Sequence, residues 1–406
     1  MGINSVLLII PNLGNGGAQQ VFRAQLGFYS KHFNVIGCVF NKDNLVETDL
    51  QLDILSLNVP AGNNLISKGF YFLLRVWKVR KIKKKNGITH SISHLEGADF
   101  INILSARTEK VICWIHGTKK HDGNIEGRLG WIRKKILIPL LYRKSNRIIC
   151  VSGGIRQELI EQFKINPQRT ESLANGFDLA FILQKAREED VFTQKKLWNA
   201  SLVLITHGRL ARQKNLRALL EIFGKVKDAG VTCRLILIGD GELRNELIVQ
   251  AESLGLKSYA VWRSDRLSNE YDVYFMGYQS NPFPMLSKAT LYVMTSSWEG
   301  FPLALGEAMA CGVPVMSSDC FTGPREILAP LHKDLIQPIT SPLVTPQGIL
   351  MPLADSSRSL EIWANEIVRL LNNESQRKLL SEGSKHRMKD FDQSEINNKW
   401  LQLIHE

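Results

Sequence analysis

The sequence predicts an α/β protein built from two Rossmann-like domains, and three observations carry that expectation. Short apolar runs rich in Val, Ile and Leu alternate with helix-patterned segments along the chain, the arrangement of parallel sheets covered by helices on both faces. In each half an apolar run passes through a glycine turn into a helical segment, first at residues 6–10 and 12–17, again at 234–238 and 239–242. The 406 residues suffice for two domains with sizeable cores. Hydrophobic residues make up 44% and charged residues 22%, the balance of a globular protein. No low-complexity segment or internal repeat interrupts it.

In order, residues 6–10 read as a buried parallel strand that Pro11 cuts short, and not as a signal peptide, because no basic region precedes them. Asn12-Leu13-Gly14-Asn15-Gly16-Gly17 is a glycine-rich turn before a helix at 18–30. Such a turn could cradle a phosphate, but its spacing is not the dinucleotide fingerprint, and a plain tight turn has the same residues. Strands follow at 33–40 and 54–59, then a helix at 68–85, a strand at 89–94 and a helix at 98–107. A strand at 111–115, a helix at 136–144, a strand at 147–152 and a helix at 154–163 complete the first domain, residues 1–180. Asn175-Gly176 is its turn signal. His116 directly follows strand 111–115, at the carboxyl edge where open α/β sheets bind ligands.

The second domain is expected over 181–389. Residues 185–198 are polar and helix-patterned, and 202–206 open a second sheet. The loop from His207 to Asn215 then carries Arg209 and Lys214 on the ligand edge before a helix at 216–229. Two cations there match a diphosphate, Arg as a planar fork and Lys as a point charge. Strand 234–238 leads through Gly239 to a helix at 243–254, and a strand follows at 273–276. The apolar run 289–294 reads as a strand; Glu299, Gly300 and Phe301 break it. Pro302 suits the start of a helix at 303–311, which Gly312 ends before a strand at 313–317. Glu299 is thus expected at a strand's carboxyl end, with Glu307 about one turn into a helix whose first amides are free for an anion. Helices at 356–371, 374–389 and 394–405 close the chain.

The net charge of +12 is unevenly placed. Residues 1–180 hold 25 Lys and Arg against 13 Asp and Glu, whereas 181–406 hold 26 of each kind. An anionic partner of the first half follows as an expectation: a membrane surface, a phosphorylated acceptor or nucleic acid. Segment 68–85 joins Phe70–Leu74 to Arg75, Lys78, Arg80, Lys81 and Lys83–Lys85, the composition of a helix that lies on an anionic bilayer. Arg133, Lys134 and Lys135 before the apolar 136–141 form a second such patch. The same composition also fits an ordinary helix with a solvated basic end. No apolar stretch approaches the roughly 20 residues that span a bilayer. Six cysteines without a Cys-x-x-Cys pair read as small buried residues of a reduced, cytoplasmic protein.

The order Glu299-Gly300-Phe301-Pro302 and then Glu307-Ala308-Met309-Ala310-Cys311-Gly312-Val313-Pro314-Val315 resembles the donor-site signature of the retaining GT-B glycosyltransferases, and more narrowly glycosyltransferase family 4, the group 1 enzymes of bacterial surface polysaccharide synthesis. The likeness is dense over 202–327 and thinner over 5–20 and 113–178. It implies two Rossmann-like domains facing across a cleft, the first binding the acceptor, with a C-terminal helix at about 390–406 crossing back to it. It implies transfer from a nucleoside diphosphate sugar to an acceptor hydroxyl. Arg209 and Lys214 would bind the diphosphate, with Gly16, Gly17 and Gly239 close to the nucleotide. Phe301, Pro302 and Leu303 would lie at the same site, Glu307 would bind the ribose, Glu299 the sugar hydroxyls, and His116 the sugar from the other domain. Gly323-Pro324-Arg325-Glu326-Ile327 resembles a stretch of members that use UDP-sugars.

No cofactor or metal is implied; the Asp390-Phe391-Asp392 triplet reads as a helix boundary. The acceptor is expected to be a lipid-linked glycan, at the inner face of the cytoplasmic membrane. No recognised nucleic-acid motif is present. A sugar-nucleotide epimerase or hydrolase and a non-catalytic sugar-nucleotide binder stay open as alternatives.

Overall fold

The computed structural model describes residues 4–14, 16–41, 54–120, 127–191, 198, 202–263, 266–332 and 337–405. The chain forms two compact units, Met1–Asn175 with Ile396–Glu406, and Gly176–Glu395. Residues 176–180, read from the sequence as the end of the first domain, belong to the second unit. The reason is Phe177, whose ring packs 6.5 Å from that of Phe301 and whose N–H donates to the Phe391 carbonyl at 2.9 Å.

The first unit holds a seven-stranded sheet: β1 (Ser5–Ile10), β2 (Asn34–Val39), β3 (Ile54–Ser56), β4 (His90–His94), β5 (Lys110–Ile115), β6 (Arg147–Cys150) and β7 (Thr170–Ser172). Its order is β3-β2-β1-β4-β5-β6-β7, and every pairing is parallel. Chain direction across the sheet reverses between β1 and β4, so their carboxyl ends form the crevice where such sheets bind ligands. Helix α1 (Gly17–Tyr29) packs its Phe28 and Tyr29 rings against Trp400 of the C-terminal helix Gln393–His405, and the Tyr29 hydroxyl donates to the Trp400 carbonyl at 3.1 Å. Helix α2 (Leu65–Lys85) starts at an Asn64 capping box and sets Tyr71, Phe72, Leu74, Val76, Val79 and Ile82 against the β1–β2 core, beside helix α3 (Glu96–Leu104). The helix expected at 136–144 begins earlier, at Gly127, and passes through a π turn at Arg133–Leu137 before Ile138–Tyr142. Gly127 and Gly130 weaken its helical signature in the sequence.

The second unit holds β8 (Leu202–His207), β9 (Cys233–Ile238), β10 (Ser258–Ala260), β11 (Val273–Phe275), β12 (Leu291–Met294), β13 (Val315–Ser318), β14 (Leu343–Thr345) and β15 (Gly348–Met351). The order is β10-β11-β9-β8-β12-β13-β15-β14, parallel except for the β14–β15 hairpin. Its direction reverses between β8 and β12. The Arg209–Lys214 loop leaves one of these strands and the Glu299 loop leaves the other, which brings the two motifs to one edge. Leu219, Phe223, Leu235, Val293 and Trp363 lie in the core behind them. Of the helix expected at 185–198, residues 192–197 lie outside the described residues; a helix at Leu179–Lys185 precedes them. The six cysteines are all buried and none is paired. Among the described residues no helix is long and apolar enough to cross a membrane.

Candidate functional site

At the β8/β12 edge, His207, Gly208, Arg209, Lys214, Thr295 and Ser296 line one recess. Hydrogen bonds tie the two loops together: Ser297 N–H donates to the Gln213 carbonyl at 2.8 Å, and the Thr295 hydroxyl to the Lys214 carbonyl at 3.1 Å. Lys214, in the single 3₁₀ turn Arg212–Lys214, places Nζ 2.7 Å from Glu299 Oε1. Gln213 Nε2 donates to Glu299 Oε2 at 3.2 Å and to the Trp298 carbonyl at 2.8 Å. The Glu299 carboxylate is therefore buried, paired and fixed. Arg209 is exposed, and among the described residues its guanidinium has no partner.

Glu307 lies in the helix Leu303–Ala310, where His207 Nε2 donates to its Oε2 at 2.7 Å. The His207 ring stands edge-on to Tyr292 at 5.5 Å, which holds the imidazole in place. That helix has neither a side-chain cap nor an acid in its first turn. Its Gly306 N–H bonds the Pro302 carbonyl, so the amides of Leu303, Ala304 and Leu305 precede the helical ladder and remain available to an anion. Phe301 and Pro302 are buried beside them. Gly239 ends β9 with φ +138°, and a Cβ there would overlap the Gly208 carbonyl oxygen, so this close approach of two loops requires glycine.

In the first unit, Gly16 and Gly17 open α1 at the end of β1; Asn15 between Gly14 and Gly16 lies outside the described residues. Gln19 Nε2 donates to Asn12 Oδ1 at 3.0 Å, and Arg23 donates to the Leu13 carbonyl, closing the turn. His116 follows β5 and is partly exposed. Its Nε2 lies 2.8 Å from Nδ1 of the buried His94, whose Nε2 lies 3.1 Å from Gln25 Oε1. Burial first, and the Lys119 ammonium second, lower the His116 pKa to about 3, so its imidazole is neutral at pH 7. Burial holds His94 neutral as well.

The basic residues of the first half divide by burial. Lys83 is buried, paired with Glu109 at 2.7 Å and bonded to Asn102 Oδ1 at 2.7 Å. Arg133 is buried against Glu96, which also takes Lys119 Nζ at 3.4 Å. Arg75 and Lys78 donate to the carbonyls of Pro60 and Leu57. These cations are structural, and Lys83 and Arg133 are withdrawn from the outer surface expected of them. On the outer face of α2, Ile66, Phe70, Leu73 and Trp77 stand exposed at helical spacing, followed by Lys81, Lys84 and Lys85. Lys81 Nζ lies 3.7 Å over the Trp77 ring. Trp131, Ile136 and Leu140 are exposed on the second segment.

Four residues near these sites were not singled out in the sequence: His207, Gln213, His94 and Gln25. The first two sit inside motifs that were read for their neighbours, and position at a strand end was their available signal. His94 and Gln25 reach His116 from β4 and α1, and nothing local marks them. Arg325, in the stretch likened to UDP-sugar enzymes, pairs with Asp319. Asp390 pairs with Arg387 at 2.6 Å, and Asp392 accepts from Ser394 N–H at 2.9 Å.

Residues 188–387 match the model of the glycosyl transferases group 1, and residues 16–181 that of glycosyltransferase family 4. An uncharacterized glycosyltransferase of Methanocaldococcus jannaschii is 30% identical over 374 residues, 86% of this chain and 87% of the relative. A Campylobacter jejuni enzyme, GalNAc-alpha-(1->4)-GalNAc-alpha-(1->3)-diNAcBac-PP-undecaprenol alpha-1,4-N-acetyl-D-galactosaminyltransferase, is 28% identical over 403 residues, 99% of this chain and 98% of the relative. The solved structure of Anabaena HepE in complex with UDP and glucose superposes with a TM-score of 0.77 at 18% identity, over 99% of both chains, which is a likeness of fold. With both halves matched and a relative aligned along most of its length, the chain belongs to the group 1, family 4 glycosyltransferases of the GT-B fold.

Proposed function

We propose that the protein transfers a sugar from a UDP-sugar, with retention of the anomeric configuration, to a hydroxyl of a lipid-linked glycan in surface polysaccharide synthesis. The observation that carries the donor half is the β8/β12 edge, where an exposed Arg209, Lys214, two glutamates and a helix N-terminus converge. The barrier to transfer is departure of the diphosphate while positive charge builds on the sugar ring. Fixed cations and amides aimed at the developing negative charge lower it. Arg209, Lys214 and the amides from Leu303 onward take that part, and Gly16, Gly17 and Gly239 let backbone approach the nucleotide. The second oxygen of Glu307 accepts from the ribose hydroxyls, its first being held by His207. Glu299 accepts from sugar hydroxyls, and His116 contacts the sugar. No glutamate is assigned as a nucleophile; attack on the face the diphosphate leaves, assisted by it, accounts for retention, and no step needs a metal. UDP is favoured by the HepE complex, and a polyprenyl diphosphate acceptor by the C. jejuni relative.

The acceptor half rests on the first unit. The outer face of α2 is apolar at its start and basic at its end, which suits the boundary of an anionic bilayer. The first unit thereby holds the protein at the inner face of the cytoplasmic membrane, where an anchored acceptor lies. Incubating the protein with UDP- and GDP-sugars, with and without a short polyprenyl diphosphate glycan, tests the reaction. Acceptor-dependent release of UDP and an α-linked product from an α-linked donor are expected. Release without acceptor would replace transfer by hydrolysis. Co-sedimentation with anionic and neutral vesicles tests the surface: Phe70→Ser with Trp77→Ser, and Lys81→Gln with Lys84→Gln and Lys85→Gln, should each weaken binding to the anionic vesicles. Equal binding of the wild type to both vesicles would remove the membrane from the proposal.

A further inference from the structure

His94 and His116 form an edge-to-edge hydrogen-bonded pair at the carboxyl ends of neighbouring strands. His94 ends β4 and is register partner of Trp114 in β5; His116 lies two residues beyond Trp114, on the same side of the strand line. The His94 ring lies nearly parallel to Trp114 at 5.9 Å, meets His116 through its nitrogen edge with the ring centres 5.1 Å apart, and Phe22 of α1 meets it edge-on at 5.6 Å. His94 and Gln25 are both fully buried. These contacts leave the His94 ring little freedom, so each of its nitrogens has one neighbour to satisfy.

With the Gln25 amide turned so that Oε1 faces His94, the chain of contacts sets where the protons sit. Gln25 Oε1 can only accept, so at 3.1 Å His94 Nε2 carries the hydrogen. A second hydrogen on Nδ1 would make an imidazolium in a site with no exposure, which desolvation opposes. His94 Nδ1 is therefore a lone pair. The hydrogen in the 2.8 Å contact between the rings then belongs to His116 Nε2. His116 is neutral too, so its Nδ1 is a lone pair, and among the described residues no group bonds to it.

We propose that Gln25 and His94 are positioning residues that lock His116 as a hydrogen-bond acceptor, so that His116 selects a donor sugar by a hydroxyl it can accept from. This rests on the reading above of His116 as a sugar contact and deepens it. A locked acceptor cannot donate to a phosphate oxygen and cannot act as a general acid toward the leaving group. The ligand class it recognises is an alcohol: a sugar that is deoxygenated or O-methylated at the facing position loses the bond.

The tautomers are read directly by long-range proton–nitrogen correlation on protein with ¹⁵N-labelled histidine rings, His94→Gln and His116→Gln supplying the assignments. For both residues Nδ1 should resonate as an unprotonated, pyridine-type nitrogen and Nε2 as a protonated one, unchanged between pH 6 and 8. Gln25→Leu should introduce the opposite tautomer at His116 and lower kcat with the preferred UDP-sugar roughly 3- to 10-fold, the worth of a neutral hydrogen bond. UDP affinity should stay at the wild-type value. If the Gln25 amide is reversed, Nε2 donates to His94 and both tautomers invert; a protonated Nδ1 on His116 in the wild type would overturn the proposal, and so would titration of either ring in that pH range. The wild-type spectrum decides this even if Gln25→Leu fails to fold. Failure of the glycosyl-transfer reading is separate: His116→Ala with undiminished turnover would remove the sugar contact whatever the spectrum shows.

Discussion

Replacing Lys214 by Met tests the proposed donor edge through two quantities at once. Lys214 Nζ sits 2.7 Å from Glu299 Oε1, and the Glu299 side chain is only 7% exposed. Met keeps the length of the stem and removes the charge. Glu299 is then left with Gln213 as its side-chain donor, at 3.2 Å. Loss of one hydrogen bond to a charged group costs about 1.5–3 kcal/mol, and a carboxylate stranded in a buried site costs up to about 5 kcal/mol. The second unit spans Gly176–Glu395, and a domain of this size loses roughly 2–4 °C of Tm per kcal/mol. Its calorimetric transition should fall by roughly 3–20 °C. The double variant Lys214→Met/Glu299→Gln should recover more than half of that loss, because a neutral amide replaces the stranded charge. UDP affinity, measured by titration calorimetry, should fall roughly 10- to 150-fold in both variants, since the cation is absent from each. Wild-type affinity in Lys214→Met would take Lys214 out of the nucleotide site. Additive losses in the double variant would show that the pair carries no coupling.

The two glutamates should separate by assay. Glu307→Ala is expected to weaken UDP binding by roughly 10-fold or more, while Glu299→Ala lowers turnover with UDP still bound; equal loss of UDP affinity with turnover kept in both would reject the roles given. A third prediction concerns Asp99, fully buried, with Ser93 Oγ and Tyr142 Oη each donating to it at 2.8 Å. Burial raises its pKa from 3.8 to about 7, partly offset by Lys119 and these donors. The folded form then holds a proton that the unfolded chain has released between those values. The stability from this group is complete below about pH 4 and lost as pH rises through 7, on the order of 4 kcal/mol in all. Asp99→Asn should flatten that decline in the urea midpoint of the first unit between pH 4 and 7. An identical slope in wild type and variant would mean Asp99 is ionised throughout.

The alternation of apolar runs and helices was legible because strands buried on both faces must be apolar along their length. The cores around Val6–Ile10 in β1 and Leu291–Met294 in β12 confirm it. The short strands β7, β10, β14 and β15 were not read, since runs of three or four residues have no period to detect; β3, β6, β11, β12 and β13 are as short and were read only because longer apolar runs contain them. The motif from Glu299 to Glu307 was readable because Glu299, Pro302 and Glu307 are local: one strand, one loop and one helix fix their spacing. Charge was readable as a sum and misleading residue by residue. Lys83 and Arg133 count toward the basic half, yet each is buried against a carboxylate, whereas Lys81, Lys84 and Lys85 face out. The pairing of His207 with Glu307, one hundred positions apart, and of Gln25 with His94 and His116 follows from which strands lie side by side. Sequence periodicity reports which face of an element is buried; it holds no information on which distant polar group shares that face. Burial raises the cost of every unpaired donor and acceptor, so tertiary packing decides those partners, and with them the protonation and orientation of the side chains at both sheet edges.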